Sequence, residues 1–116
     1  MIIHILGEKW KLRFKNIVRA DDGEIVAGLV NKSSRTMDIA VEISDPELTV
    51  KDVIDRVSQA YYHEIFHGVF YESGMVDQSW WSEDREHQII SPCEKVFARN
   101  FPIKIDVKKL EKMMTQ

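Results

Sequence analysis

Along Trp10–Val18, the apolar residues Trp10, Leu12 and Phe14 alternate with Lys11, Arg13 and Lys15. This is the two-residue period of a strand with one face buried and one in water. Ala20 to Glu24 has turn chemistry, and the apolar run Ile25–Val30 after it completes an expected hairpin. A second turn over Asn31–Ser34 leads into Thr36–Ile43. There Met37, Ile39, Val41 and Ile43 alternate with Asp38, Ala40 and Glu42, the clearest strand pattern in the chain.

The period then changes. Ser44-Asp45-Pro46-Glu47 breaks the extended pattern, and Thr49 is placed to cap a helix with Asp52 three residues on. Val50, Val53, Ile54, Val57, Tyr61 and Ile65 recur at helical spacing, which predicts one helix over Thr49–Ser73 with Gly74 just past its end. A loop from Met75 to Ser82 carries Trp80 and Trp81, expected to pack over the core. A second helix is expected over Ser82–Asn100, with Ile89, Ile90, Cys93, Val96 and Phe97 on its buried side. Pro92 within it predicts a bend or a split, because a proline removes a hydrogen bond and its ring crowds the preceding turn. After Pro102, Val107–Met114 has the pattern of a short helix, with Lys104–Lys112 as its solvated face.

Length and composition narrow the picture. With 116 residues, 44% of them hydrophobic, residues 1–116 are expected to form one domain around one core. A formal charge of -3 with basic residues spread along the chain gives no footprint for nucleic acid. No apolar run is long enough to span a bilayer, and the first residues lack the basic and apolar regions of a signal peptide. One cysteine, Cys93, fits a reducing compartment and reads as a small buried hydrophobe. The expected setting is the cytoplasm, without nucleic-acid or membrane partners; His4 has no partner in view.

The chemistry lies in His63-Glu64-Ile65-Phe66-His67, an HExxH within the first helix. Histidines four apart share a face about one turn apart, so both imidazoles reach one Zn²⁺, and the adjacent Glu64 reaches water there as general base. A catalytic zinc site needs a third protein ligand. Glu83, Glu86, His87, Cys93 and Glu94 are the candidates. Glu86 precedes Ile89, Ile90 and Cys93 by three, four and seven residues, so it extends the apolar stripe and is favoured. His87 would make a three-histidine site.

The strand ending Thr36 to Val41, the helix carrying Tyr62 to Phe70 and the later Glu86-His87-Gln88-Ile89-Ile90 resemble the minimal HExxH proteins often encoded in phages and prophages. These are the minigluzincins and, more distantly, the peptidase domain of ImmA/IrrE-type proteins. The resemblance implies an α+β, zincin-like fold: an N-terminal three-stranded antiparallel sheet whose edge strand borders the cleft, an active-site helix, and a second helix bearing Glu86 as third ligand. It implies a zinc metallopeptidase of gluzincin type acting on a peptide or protein. It also implies that a C-terminal segment such as Phe101–Gln116 is able to cover the cleft in a latent form. Ser91-Pro92-Cys93 departs from the family's unbroken second helix.

The parts predict a mechanism in which the metal polarises water and the peptide carbonyl, and Glu64 carries a proton from water to the leaving amine. Substrate is expected to lie extended along Thr36–Ile43. Tyr61, Tyr62 and Tyr71 are read as core aromatics rather than oxyanion donors. Two alternatives stand beside this reading. One is a catalytically silent zincin-fold protein-binding module. The other is a different metal hydrolase, deformylase-like or nuclease-like, for which Cys93 is the one possible cysteine ligand.

Overall fold

In a computed structural model, the structure describes residues 1–41 and 49–104 together with Lys109 and Lys112. The chain opens with a hairpin that the sequence pattern did not announce. Strand β1 (Ile2–Ile5) pairs antiparallel with β2 (Glu8–Lys15), Ile5 opposite Glu8. The turn is two residues, Leu6 and Gly7, both with positive φ (48° and 83°). That is the mirror-image geometry that matches the twist of a tight hairpin.

From β2 the chain passes through a two-stranded ribbon, β3 (Val18–Arg19) with β4 (Ile25–Val26), before reaching β5 (Gly28–Asn31) and β6 (Thr36–Ala40). Asn31 Oδ1 accepts from the Ser34 amide at 3.2 Å and the Ser33 hydroxyl at 2.8 Å, which closes the β5–β6 turn. β6 then inserts between β5 and β2, antiparallel to the first and parallel to the second. The result is a four-stranded mixed sheet in the order β1-β2-β6-β5.

This corrects the expected three-stranded antiparallel sheet and moves its edge. The excursion through β3 and β4 delivers β5 to the outside, so β6 is flanked on both sides and cannot serve as a free edge. The apolar run Ile25–Val30 is divided at Ala27 between two sheets, and Trp10–Val18 between β2 and β3. Of the expected Thr36–Ile43 strand, Glu42 and Ile43 lie outside the described residues, as does the Ser44–Glu47 breaker.

Helix α1 (Val50–Glu72) covers one face of the sheet, where Trp10, Leu12, Met37 and Ile39 meet Val53 and Val57 in the core. Its start is a capping box: Thr49 Oγ1 accepts from the Asp52 amide at 3.2 Å, and Asp52 Oδ2 accepts from the Thr49 amide at 3.1 Å. It ends at Ser73, followed by left-handed Gly74 (φ 77°). Gly68 sits where helix and sheet approach most closely, since a Cβ there would lie 2.7 Å from Ile5 Cδ1 and 2.9 Å from Met37 Cε. The buried carboxylate of Glu72 ties the helix end to the sheet, accepting from the Trp10 indole at 3.0 Å and from Arg35 Nε at 2.6 Å.

After a 3₁₀ turn (Met75–Asp77), helix α2 (Glu83–Asn100) packs on α1, capped by Ser82, whose Oγ accepts from the Arg85 amide at 3.1 Å. It is one helix, neither split nor ended at Pro92. The carbonyl that loses its partner there belongs to Gln88; both residues are exposed, so water takes the lost hydrogen bond. The buried face is also not the expected one. Glu86, Ile90, Glu94 and Ala98 are buried, whereas Ile89 (45% exposed) and Val96 (57%) face outward, and Phe97 packs its ring against Tyr62 and Phe66 of α1. The face packed on α1 is polar because it meets imidazoles.

Beyond α2, Tyr62 donates its hydroxyl to the Phe101 carbonyl at 2.5 Å, and the Ile103 amide donates to the buried Ser58 Oγ at 3.1 Å. These bonds lay residues 101–103 back along α1. The helix expected over Val107–Met114 falls almost wholly outside the described residues. Among the described residues, no helix is long and apolar enough to cross a membrane.

Candidate metal centre

The helical spacing of His63 and His67 stacks their rings one turn apart with centroids 4.7 Å from each other and the two Nε2 atoms at 3.0 Å. Helix α2 adds a third ring. His87 lies with its centroid 4.8 Å from that of His67 and 5.5 Å from that of His63, and one ring nitrogen from each of the three falls within 4.8 Å of the others.

Each ring is held from behind. His63 Nδ1 meets Glu94 Oε2 at 2.9 Å, His67 Nδ1 meets Glu86 Oε2, and His87 Nδ1 meets the Glu83 carbonyl at 2.9 Å. A carboxylate and a carbonyl only accept, so all three Nδ1 atoms carry the proton and donate it. In a neutral imidazole this leaves a bare lone pair on Nε2, the tautomer that ligates metal. A cation between the two Nε2 atoms, 3.0 Å apart, would be held by the lone pairs of both rings. Nitrogens on one tetrahedral zinc, at bond lengths of about 2.0–2.1 Å, sit about 3.3 Å apart. The donor set and the spacing of the first two rings fit such an ion.

Burial acts in the same direction. It pushes His67 below the ordinary imidazole range despite the opposing pull of Glu86, and the His63 and His87 rings lower it further. The ring is therefore neutral at pH 7, as a ligand must be. Burial also drives the Glu64 carboxyl up to about 7, with the negative charge of Glu94 adding to the effect. Among the described residues Glu64 accepts no hydrogen bond. It packs against β5, where a Cβ on Gly28 would fall 2.8 Å from Glu64 Cγ.

His63, Glu64 and Glu94 close one end of a cleft of about 600 Å³ that runs between α1 and the β4–β5 segment. The strand beside Glu64 is thus β5, not β6, so the expected position of Thr36–Ile43 at the border of the cleft is taken by Gly28–Asn31.

The structure brings His63 and His67 together as the spacing predicted, and His63 and Glu64 line the same cleft. Glu86 also arrives, 3% exposed, but on the Nδ1 of His67 and under the indole of Trp81, whose Nε1 donates to its Oε1 at 2.9 Å. The histidine trio takes its third member from the next residue, His87. Trp81, read from sequence as core packing, is a clamp on Glu86. Glu94, weighed only as a ligand, orients His63. The missed signal was the stripe Glu86, Ile90, Glu94, four residues apart, which places two acids on the face opposing α1.

Comparison of the chain with models of protein families, with curated proteins and with solved structures returns no match.

Proposed function

We propose that this protein is a zinc-dependent, zincin-like hydrolase of peptide bonds, with the metal held by His63, His67 and His87, and with Glu86 and Glu94 orienting the rings. The observation that carries this reading is the pair of Nε2 atoms 3.0 Å apart, each on a ring whose Nδ1 is engaged by a carboxylate, so that Nε2 is the nitrogen left to take a metal. The HExxH helix and the likeness to minigluzincins support the same reading.

A bound zinc ion would act as a Lewis acid toward water and the scissile carbonyl. Glu64 supplies the base. Glu64, which lines the cleft one residue from His63, is placed to accept a proton from the attacking water and return it to the leaving amine. The backbone of β5, free on the side away from β6, pairs with an extended peptide beside Glu64.

Elemental analysis of the purified protein tests the proposal. About one zinc per chain, lost in His63→Ala and His87→Ala and only weakened in Glu86→Gln, supports the three-histidine centre. Loss in Glu86→Gln with retention in His87→Ala would instead make Glu86 the third ligand. Peptide hydrolysis abolished in zinc-loaded Glu64→Gln completes the case for an enzyme. Stoichiometric zinc with no hydrolysis of any peptide would leave a metal-stabilised binding module.

A further inference from the structure

The cleft that holds His63 and Glu64 is lined along α1 by two further polar residues, Arg56 and Gln59, and most of its other walls are small and apolar: Val26, Ala27, Ala40, Val57 and Ala60 among them. Arg56 and Glu64 are eight residues apart on α1, about 12 Å along the helix axis at about 1.5 Å per residue. An extended peptide covers that distance in three to four residues, at about 3.4 Å each.

Arg56 is exposed and forms no ion pair or hydrogen bond among the described residues. Its natural helical partner, Asp52, lies four residues earlier but is turned to the capping box, where Oδ2 also takes the Thr49 hydroxyl at 2.8 Å. Arg56 therefore lines the cleft with no counter-ion among the described residues, and its planar donors match a carboxylate in pairs.

From this placement, and resting on the peptidase reading, we infer that Arg56 is a specificity-determining residue that binds a substrate carboxylate three to four residues from the scissile bond, across an apolar stretch. The carboxylate is either the side chain of Asp or Glu or the C-terminus of the peptide. In the second case the protein trims short fragments from chain ends. Gln59, one turn further along, offers an amide donor to the same group.

The test measures binding apart from catalysis. Zinc-loaded Glu64→Gln protein is titrated with fluorescently labelled apolar octapeptides that carry one Glu or one Gln at the fourth position, each with a free or an amidated C-terminus. Fluorescence anisotropy gives Kd. The inference expects Arg56→Ala, added to that background, to weaken carboxylate-bearing peptides about tenfold and leave the amidated Gln peptide unchanged. Arg56→Lys should restore part of the loss, and added salt should narrow the difference. A preference that follows Glu against Gln assigns a side chain, and one that follows the free terminus assigns a chain end.

If Arg56→Ala changes the Kd of acidic and neutral peptides alike, or of neither, the inference is overturned while the peptidase reading stands. If wild type cuts none of the peptides and Glu64→Gln binds none, both fall. Unchanged thermal melting of the Arg56 variants separates these outcomes from misfolding.

Discussion

His63 and His67 point Nε2 at Nε2 across 3.0 Å, and each is backed at Nδ1 by a glutamate from α2. The ring nitrogens and the groups that orient them thus come from two helices, so the cluster forms only when α1 and α2 are docked.

A bound divalent ion should consequently stabilise the docked helices. Zinc at about a thousand times its Kd is worth about 4 kcal/mol, and chelation should lower the melting temperature of wild type but not of His63→Ala. Removing either orienting acid, as Glu86→Gln or Glu94→Gln, is expected to weaken zinc binding about 10- to 100-fold. Competition with a chromophoric chelator measures both variants.

Gly28 leaves room for Glu64. A methyl at this position falls 2.8 Å from Glu64 Cγ and 2.9 Å from Oε1, so Gly28→Ala must displace the carboxylate. Because a side-chain end can move at little cost, the melting temperature should change little. Displacement of a catalytic group by about 1 Å costs about a hundredfold in rate, so hydrolysis should drop while zinc content is kept. An unchanged rate would show that Glu64 does not act from this position.

In the metal-free protein Glu64 should contribute a loss of stability as pH rises from about 4.5 to about 7, opposed by the depressed His67, which makes stability rise as pH approaches the ordinary imidazole value. In that window folded Glu64 retains a proton, its carboxyl titrating at about 7 against an ordinary value of 4.5, whereas the unfolded chain has released it. Stability falls wherever the folded state binds more protons, and the total is about 3 kcal/mol at about 1.4 kcal/mol per unit. Urea denaturation in chelator at pH 5 and pH 8 should show wild type losing more stability, or gaining less, between the two values than Glu64→Gln.

Gly68→Ala sets two effects against each other. Alanine gains about 1 kcal/mol over glycine inside a helix, but its methyl meets Ile5 and Met37 at 2.7 and 2.9 Å in a closed core, where overpacking costs about 1–3 kcal/mol. The contact should win, with a lower urea midpoint than wild type. A higher midpoint would mean that the hairpin carrying Ile5 shifts freely.

What the sequence determined by itself was local. The capping box at Thr49, the span of α1 and its stop at Gly74, the buried alternation of Trp10 and Leu12, and the pairing of His63 with His67 all depend on residues within about one turn or one strand of each other. Such patterns are readable because the backbone period alone fixes which side chains share a face.

Tertiary structure decided the rest. The order of β5 and β6 depends on where a 20-residue excursion returns, which no local period records. Pro92 stays inside a helix because solvent reaches Gln88. The face of α2 that is buried is selected by the imidazoles it meets, and this turns Glu86 and Glu94 inward and leaves Ile89 and Val96 outside. The same docking sets Glu86 on Nδ1 of His67 and brings the His87 ring beside both histidines, a placement of adjacent residues that only the packing of two helices could make.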